Sequence, residues 1–185
     1  MAGAVVLAAG AGTRFGGVKQ LAQVRGRPLI EHALEAARCV PALERLVLVL
    51  GAEAESVRSG ADLDDFEVVV CPDWEEGVAA SLRAGVAALG DVGAAVVLLG
   101  DMPGMTAQVV AGALDHLEGY DAVRTLAGGS PTHPVVLGKR ALEFVPDLRG
   151  DHGARDLLST LRVYEWEAGQ LFDATDVDTP ADLEG

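Results

Sequence analysis

Cysteine is nearly missing from this chain: 185 residues contain two, Cys39 and Cys71. With His32, His116, His133 and His152 they form no CxxC or HExxH spacing, so neither a disulfide framework nor a zinc site is expected, and a reduced, cytoplasmic setting is. A chain of this length needs no such staple, because a domain of ~150 residues already buries roughly two-thirds of its unfolded surface. Long apolar runs are also missing. The longest after the N-terminal strand, VGAAVVLLG at residues 92–100, falls far short of the ~20 residues a membrane span requires. The apolar start AVVLAAGAG has no basic segment before it, as a secretory signal would. No internal repeat, low-complexity tract or linker interrupts the pattern, so a single domain over 1–185 is expected.

Positive charge is scarce as well. Fourteen basic residues face 28 acidic ones, for a net charge of −14, and a field of that sign argues against nucleic acid and anionic membranes as partners. The average hides an asymmetry. Arg14, Lys19, Arg25 and Arg27 all fall within residues 1–30, where there is no acid at all, and no basic residue follows Arg162. A local cationic pocket on an acidic body is the expectation.

Four largely apolar runs read as strands buried on both faces: 4–9, 46–50, 66–70 and 94–99. Between them, residues 28–38 and 77–89 repeat apolar positions at three- and four-residue spacing, the mark of helices laid over a sheet, and a shorter helix follows Glu53. A helix near 107–118 comes next, then two runs, DAVRTLA and THPVVL, joined by the turn former GGSP as a hairpin or as neighbouring strands. A helix near 154–161 and a strand RVYEWE precede an acidic tail. This alternation predicts an α/β fold with a mostly parallel sheet.

The segment LAAGAGTRFGGVKQL follows the first strand at the sheet edge where α/β folds bind phosphates. It is not a dinucleotide fingerprint, since Phe15 stands where the third glycine belongs, and it is not a P-loop, since Lys19 lies between Val18 and Gln20. What remains is a loop with glycines at 10, 12, 16 and 17 that lets backbone approach an anion, and two cations of different kind. Arg14 can fork onto phosphate oxygens; Lys19 is a point charge. Asp101, at the carboxyl end of the fourth run, would face the same crevice if the first and fourth runs are neighbours, and Mg²⁺ needs only one or two protein carboxylates beside substrate phosphates. A loop aspartate capping the next turn is the plainer reading. Asp178, in DVDTPADL, is either a second such carboxylate or a residue of a solvated strand end, with Thr179 and Asp182 spaced as a helix cap.

The segment LAAGAGTRFGGVKQL resembles the signature of the MobA-like nucleotidyltransferases, and its LAAG start resembles the MocA-type molybdenum cofactor cytidylyltransferase branch. Matching segments follow in order: GVAASLRAG at 77–85, LLGDMPGMT from Leu98, SPTHPVVL at 130–137, LRGDHGARDLL at 148–158 and the DVDTPADL tail. The resemblance implies a Rossmann-like three-layer α/β/α sandwich of the nucleotide-diphospho-sugar transferase kind. It implies transfer of a nucleotidyl group, CMP from CTP, to molybdopterin or molybdenum cofactor with Mg²⁺, and a molybdoenzyme as eventual target. Leu7, Ala8, Ala9, Gly10, Gly12 and Thr13 would line the nucleotide together with Arg14, Lys19, Gly77 and Ser81. Arg14, Lys19 and Asp101 would be catalytic, with Asp101 and Asp178 at the metal. His133, Asp151 and Arg155 would face the acceptor. Ser81 is equally suited to bonding within its own helix, His133 to a structural place before Pro134, and Trp74 and Trp166 to packing or partner contacts. GTP, another phosphorylated acceptor such as a sugar phosphate, and a non-catalytic cofactor chaperone remain alternatives.

Overall fold

A computed structural model describes residues 1–150 and 157–183. In chain order its strands are β1 (Ala2–Ala8), β2 (Gln23–Val24), β3 (Arg27–Pro28), β4 (Leu43–Leu50), β5 (Glu67–Val70), β6 (Ala94–Leu99), β7 (Ala122–Ala127), β8 (Ser130–Gly138) and β9 (Val163–Glu167). The helices are α1 (Leu29–Arg38), α2 (Ala54–Gly60), α3 (Val78–Leu89), α4 (Ala107–Asp115) and α5 (Lys139–Leu142). Seven strands form one sheet in the order β5-β4-β1-β6-β8-β7-β9. All pairings are parallel except the two made by β8, so β8 alone runs against the rest.

Alternation of side chains along the apolar strands builds two cores. Ala4 and Val6 of β1, Leu48 and Leu50 of β4, and Val96 and Leu98 of β6 point to one face, which α1 and α4 cover with Ile30, Leu34, Val109 and Val110. Val5 and Leu7, Val47 and Val49, and Ala95 and Val97 point to the other, where Ala80, Leu82 and Leu89 of α3 and Ala141 of α5 lie over them. Helices on both faces make the three-layer α/β/α sandwich that the family resemblance implies. Removing each such valine or leucine from water contributes ~1.5–3 kcal/mol, so the sheet is a rigid platform for what projects from its edge.

Some boundaries differ from the sequence reading. β1 and β4 begin at Ala2 and Leu43, because each pairs back toward its neighbour beyond its purely apolar run. α4 ends at Asp115, where the His116 ring bonds the Gly112 carbonyl at 2.7 Å and the chain turns away. The glycine loop does not feed directly into a long helix: a single turn at Lys19–Leu21 and the β2–β3 hairpin intervene before α1 begins at Leu29. That hairpin turns on Arg25 and Gly26, both at positive φ, the pairing a tight two-residue hairpin demands. The helix expected near 154–161 is helical at 157–159, and its first residues lie outside the described ones. Among the described residues no helix is long and apolar enough to cross a membrane.

Candidate functional site

The chain leaves β1 toward β4 on one side and later returns to β6 on the other, so the order of the sheet switches between β1 and β6. Open α/β sheets bind ligands outside the carboxyl ends of the strands at such a point. A cavity of about 460 Å³ lies there, and it brings together every residue assigned above to the nucleotide: Leu7, Ala8, Ala9, Gly10, Gly12, Thr13, Arg14, Lys19, Gly77 and Ser81, with Asp101 and Asp178.

Each is placed by identifiable local structure. Phe15 N–H donates to the Gly12 carbonyl at 2.8 Å, which folds the loop back, and the turn at Lys19–Leu21 then returns Lys19 to the cavity floor. Gly100 N–H donates to the Leu7 carbonyl at 2.9 Å, which locks the end of β6 beside β1 and sets Asp101 at the crevice. Val177 N–H donates to the Asp101 carbonyl at 2.9 Å, so the tail is tied to the same point. The cap signal in DVDTPADL is also real: the Asp182 carboxylate accepts from the N–H groups of Asp178 and Thr179 at 2.9 and 2.7 Å. Capping by Asp182 leaves the Asp178 carboxylate free to face the cavity. Gly77 enters α3 at φ 109°, a left-handed conformation that favours glycine, and it aims the first turn of α3, with buried Ser81, at the cavity.

Four charged groups meet at the mouth. Lys19 Nζ donates to Asp101 Oδ2 at 2.8 Å and to Asp178 Oδ1 at 3.0 Å, and Arg14 pairs with the other Asp178 oxygen at 3.0 Å. The Lys19 side chain is 11% exposed and Arg14 73%. Burial works against the Lys19 ammonium, but the hydrogen bonds and charges of Asp101 and Asp178 outweigh it and hold its pKa above the usual value. The Lys19 hydrogen bond in turn holds the Asp178 carboxyl below its ordinary range. Asp101 Oδ1 is buried with no hydrogen-bond partner among the described residues. Two opposed carboxylates with an uncommitted oxygen are a donor set that fits a hard divalent cation completed by substrate phosphates.

Gln20, Leu29, Trp74, Glu75, Val78, Leu99 and Gly100 also line the cavity without having been singled out from the sequence as nucleotide contacts, and two of them have a visible role. Gln20, buried beside Lys19, donates from Nε2 to the Ala8 carbonyl at 3.0 Å and the Gly10 carbonyl at 3.2 Å, pinning the backbone that lines the cavity. Trp74, read as a packing or partner contact, forms a wall. The position of Gln20 next to the loop lysine was the available signal for the first; nothing local marks Trp74.

A second cavity of about 450 Å³ opens on the same sheet edge, meeting the first at Leu99. Because β8 runs backward, its early residues lie beside the end of β6, and His133 lines this cavity with Ser130, Thr132 and Asp176. Enclosure of the imidazole lowers the His133 pKa to about 4, so the ring is neutral at physiological pH. Asp151 and Arg155, the remaining acceptor-side assignments, lie outside the described residues. Trp166 is apart from both cavities, stacked on His116 at 5.0 Å.

Fold and crevice together define a three-layer α/β protein with a charged cavity, lined by two basic and three acidic side chains, at its switch point. Residues 4–166 match the MobA-like NTP transferase domain, and the chain belongs to that family of nucleotidyltransferases. It is 36% identical over 192 residues to nicotine blue oxidoreductase of Paenarthrobacter nicotinovorans, covering 97% of this chain and 90% of that one. It is also 36% identical over 148 residues to the bifunctional protein GlmU of Maricaulis maris, covering 78% of this chain but only 32% of that protein. Among solved structures, Rv0371c of Mycobacterium tuberculosis H37Rv superposes with a TM-score of 0.88 at 29% identity, covering 100% of this chain and 98% of that one. The manganese complex of Rv0371c superposes at 0.78 and 27% identity, covering 90% and 87%.

Proposed function

We propose that residues 1–185 act as one Mg²⁺-dependent nucleotidyltransferase domain that transfers CMP from CTP to molybdopterin or molybdenum cofactor and releases pyrophosphate. The observation that carries this reading is the convergence of Arg14, Lys19, Asp101 and Asp178 on the glycine-loop cavity. CTP rather than GTP rests on the LAAG start of the loop; the manganese complex of Rv0371c supports a divalent metal on this scaffold.

An acceptor phosphate oxygen attacks the α-phosphorus of the triphosphate in line, a new P–O bond forms, and the bond to pyrophosphate breaks. A phosphate monoester is already ionised at neutral pH, so no protein base or nucleophile is needed; positioning and charge neutralisation suffice. The backbone of Leu7–Gly10, held by Gln20, meets base and ribose, and the Gly77–Ser81 turn closes over them. Lys19 and Arg14 neutralise charge moving onto the leaving phosphates. Asp101 and Asp178 would hold Mg²⁺, which supplies Lewis-acid polarisation of the reacting phosphate. The second cavity takes the body of the acceptor: neutral His133 and the Asp176 carboxylate offer hydrogen bonds without a formal positive charge, which suits an uncharged, N–H-rich ring such as a pterin.

Pyrophosphate release measured with each of the four ribonucleoside triphosphates, Mg²⁺ and molybdopterin tests this directly. Turnover with CTP above the others is expected; no turnover with any of them overturns the proposal. The relative named an oxidoreductase, similar over 97% of this chain, favours a second reading in which the first cavity holds a reduced nicotinamide dinucleotide that passes hydride to a dye in the second. The absent third glycine of the loop ranks that reading below the first. Oxidation of reduced dinucleotide dependent on nicotine blue, without pyrophosphate release, would reverse the order.

A further inference from the structure

The Lys19 ammonium sits between the two carboxylates proposed to hold the metal. It is within hydrogen-bond distance of both, 2.8 Å from Asp101 and 3.0 Å from Asp178, and its side chain is 11% exposed. Arg14 occupies the second Asp178 oxygen at 3.0 Å. Two cations thus balance two anions, and three of the four carboxylate oxygens are engaged. A divalent cation arriving alone meets two carboxylates already paired with cations and an ammonium already seated between them. Seating the metal would strip Lys19 of its partners while it stays buried, and an unpaired buried charge is among the costliest states a fold can hold.

A triphosphate changes the balance. Its oxygens give Lys19 and Arg14 new anionic partners, releasing Asp101 and Asp178 to a metal that the same phosphates help to bind. Resting on the nucleotidyltransferase reading, we propose that Lys19 acts as a placeholder for the divalent cation, excluding it from the empty site so that metal and nucleotide bind together. Binding linkage then makes the effect reciprocal: whatever factor the nucleotide adds to metal affinity, the metal adds to nucleotide affinity.

The probe is Mn²⁺, with binding to the protein followed by electron paramagnetic resonance, with and without α,β-methylene-CTP and independently of turnover. Wild type is expected to bind Mn²⁺ at least tenfold more weakly without the nucleotide analogue than with it. Lys19→Met, which keeps an unbranched side chain one atom shorter and removes its charge, is expected to bind Mn²⁺ alone at least tenfold more tightly than wild type. Lys19→Arg, which keeps a cation, should stay as weak as wild type. Circular dichroism and thermal melting confirm that each variant is folded. An Mn²⁺ affinity of Lys19→Met no tighter than that of wild type overturns the proposal. Adding Asp101→Asn to Lys19→Met separates the two levels of argument: if tight Mn²⁺ binding survives it, the metal is not at these carboxylates and the metal assignment fails rather than the role of Lys19 alone.

Discussion

The two cavities on the sheet edge share Leu99 and are almost equal in volume, about 460 and 450 Å³, yet they are made of different material. The first is formed at the ends of parallel strands and carries five charged side chains, of which Arg14, Lys19, Asp101 and Asp178 satisfy one another. The second depends on the one reversed strand, β8, and among its described lining residues the only formal charge is Asp176 beside a neutral imidazole. Paired charges can exchange partners when an anion arrives, whereas a nearly neutral cavity discriminates by shape and hydrogen bonding. Under the proposed function, the first cavity would carry the chemistry and the second the choice of acceptor.

The largest effect should come from cutting across that division. Asp101→Asn is expected to lower kcat by 10²–10³, about 2.7–4 kcal/mol of barrier, the size of one lost preorganised electrostatic contact. Asp176→Asn is expected to raise KM for the acceptor while leaving kcat and KM for the triphosphate close to wild type. Steady-state pyrophosphate release gives both, and a kcat loss in Asp176→Asn equal to that of Asp101→Asn would erase the distinction.

Acid should undo the cavities in different pH windows. An unfolded histidine takes up its proton near pH 6.5, while folded His133 does so only near 4. Between those values the unfolded chain binds more protons, so stability falls as pH drops through the window, by up to about 3 kcal/mol. Asp178 has the opposite sign of charge and a depressed pKa, so its contribution persists through that window and is lost only as pH falls through its folded pKa, below the ordinary 3.8. Urea unfolding of wild type and His133→Gln at pH 7 and 4.5 checks this. The variant should lose about 2–3 kcal/mol less than wild type on acidification.

Much of the scaffold was legible because burial on both faces writes itself as apolar runs: β1, β4 and β6 each stand within a few residues of their run, whereas β5 is a strand as expected but lies at the sheet edge with Glu67 and Val70 exposed, not buried on both faces. The hairpin after the glycine loop was harder. Its strands are two residues each, too short to show alternation, and only the positive φ of Arg25 and Gly26 reveals the turn. The loop, Asp101 and Asp178 could be selected one by one from residue type and neighbours, but their meeting could not. Lys19 is 82 residues from Asp101 and 159 from Asp178, and tertiary folding alone decides that one ammonium bridges both. The same holds for Trp74, whose role in the wall comes from a strand end brought against it.

Packing offers a matched pair of smaller perturbations. A Cβ on Gly51 would collide with the Ala9 carbonyl and press the Trp74 ring, both in the first cavity. A Cβ on Gly104 would collide with the backbone of Asp173, just before the Ala174–Asp176 wall of the second. Each alanine should destabilise by ~1–3 kcal/mol through overpacking. Gly51→Ala is expected to raise KM for the nucleotide and Gly104→Ala KM for the acceptor. Identical kinetic changes in the two variants would mean that the cavities deform as one.

The smallest effect should lie within the first cavity, between its two cations. Arg14 and Lys19 both pair with Asp178 at 3.0 Å, but the Arg14 side chain is 73% exposed and Lys19 11%. In water the guanidinium pair is screened and its arginine ordered only weakly, so Arg14→Ala should cost less than about 1 kcal/mol of stability. Its effect on KM for the triphosphate should be under tenfold and should shrink further as salt rises, since an exposed charge acts within a Debye length of roughly 10 Å at 0.1 M. Lys19→Ala, which leaves Asp101 without its buried partner, should show a larger effect and a weaker dependence on salt. Equal losses with equal salt dependence in the two variants would mean that the four charges act as one solvated cluster, and the distinction between a buried placeholder and a rim contact would go with it.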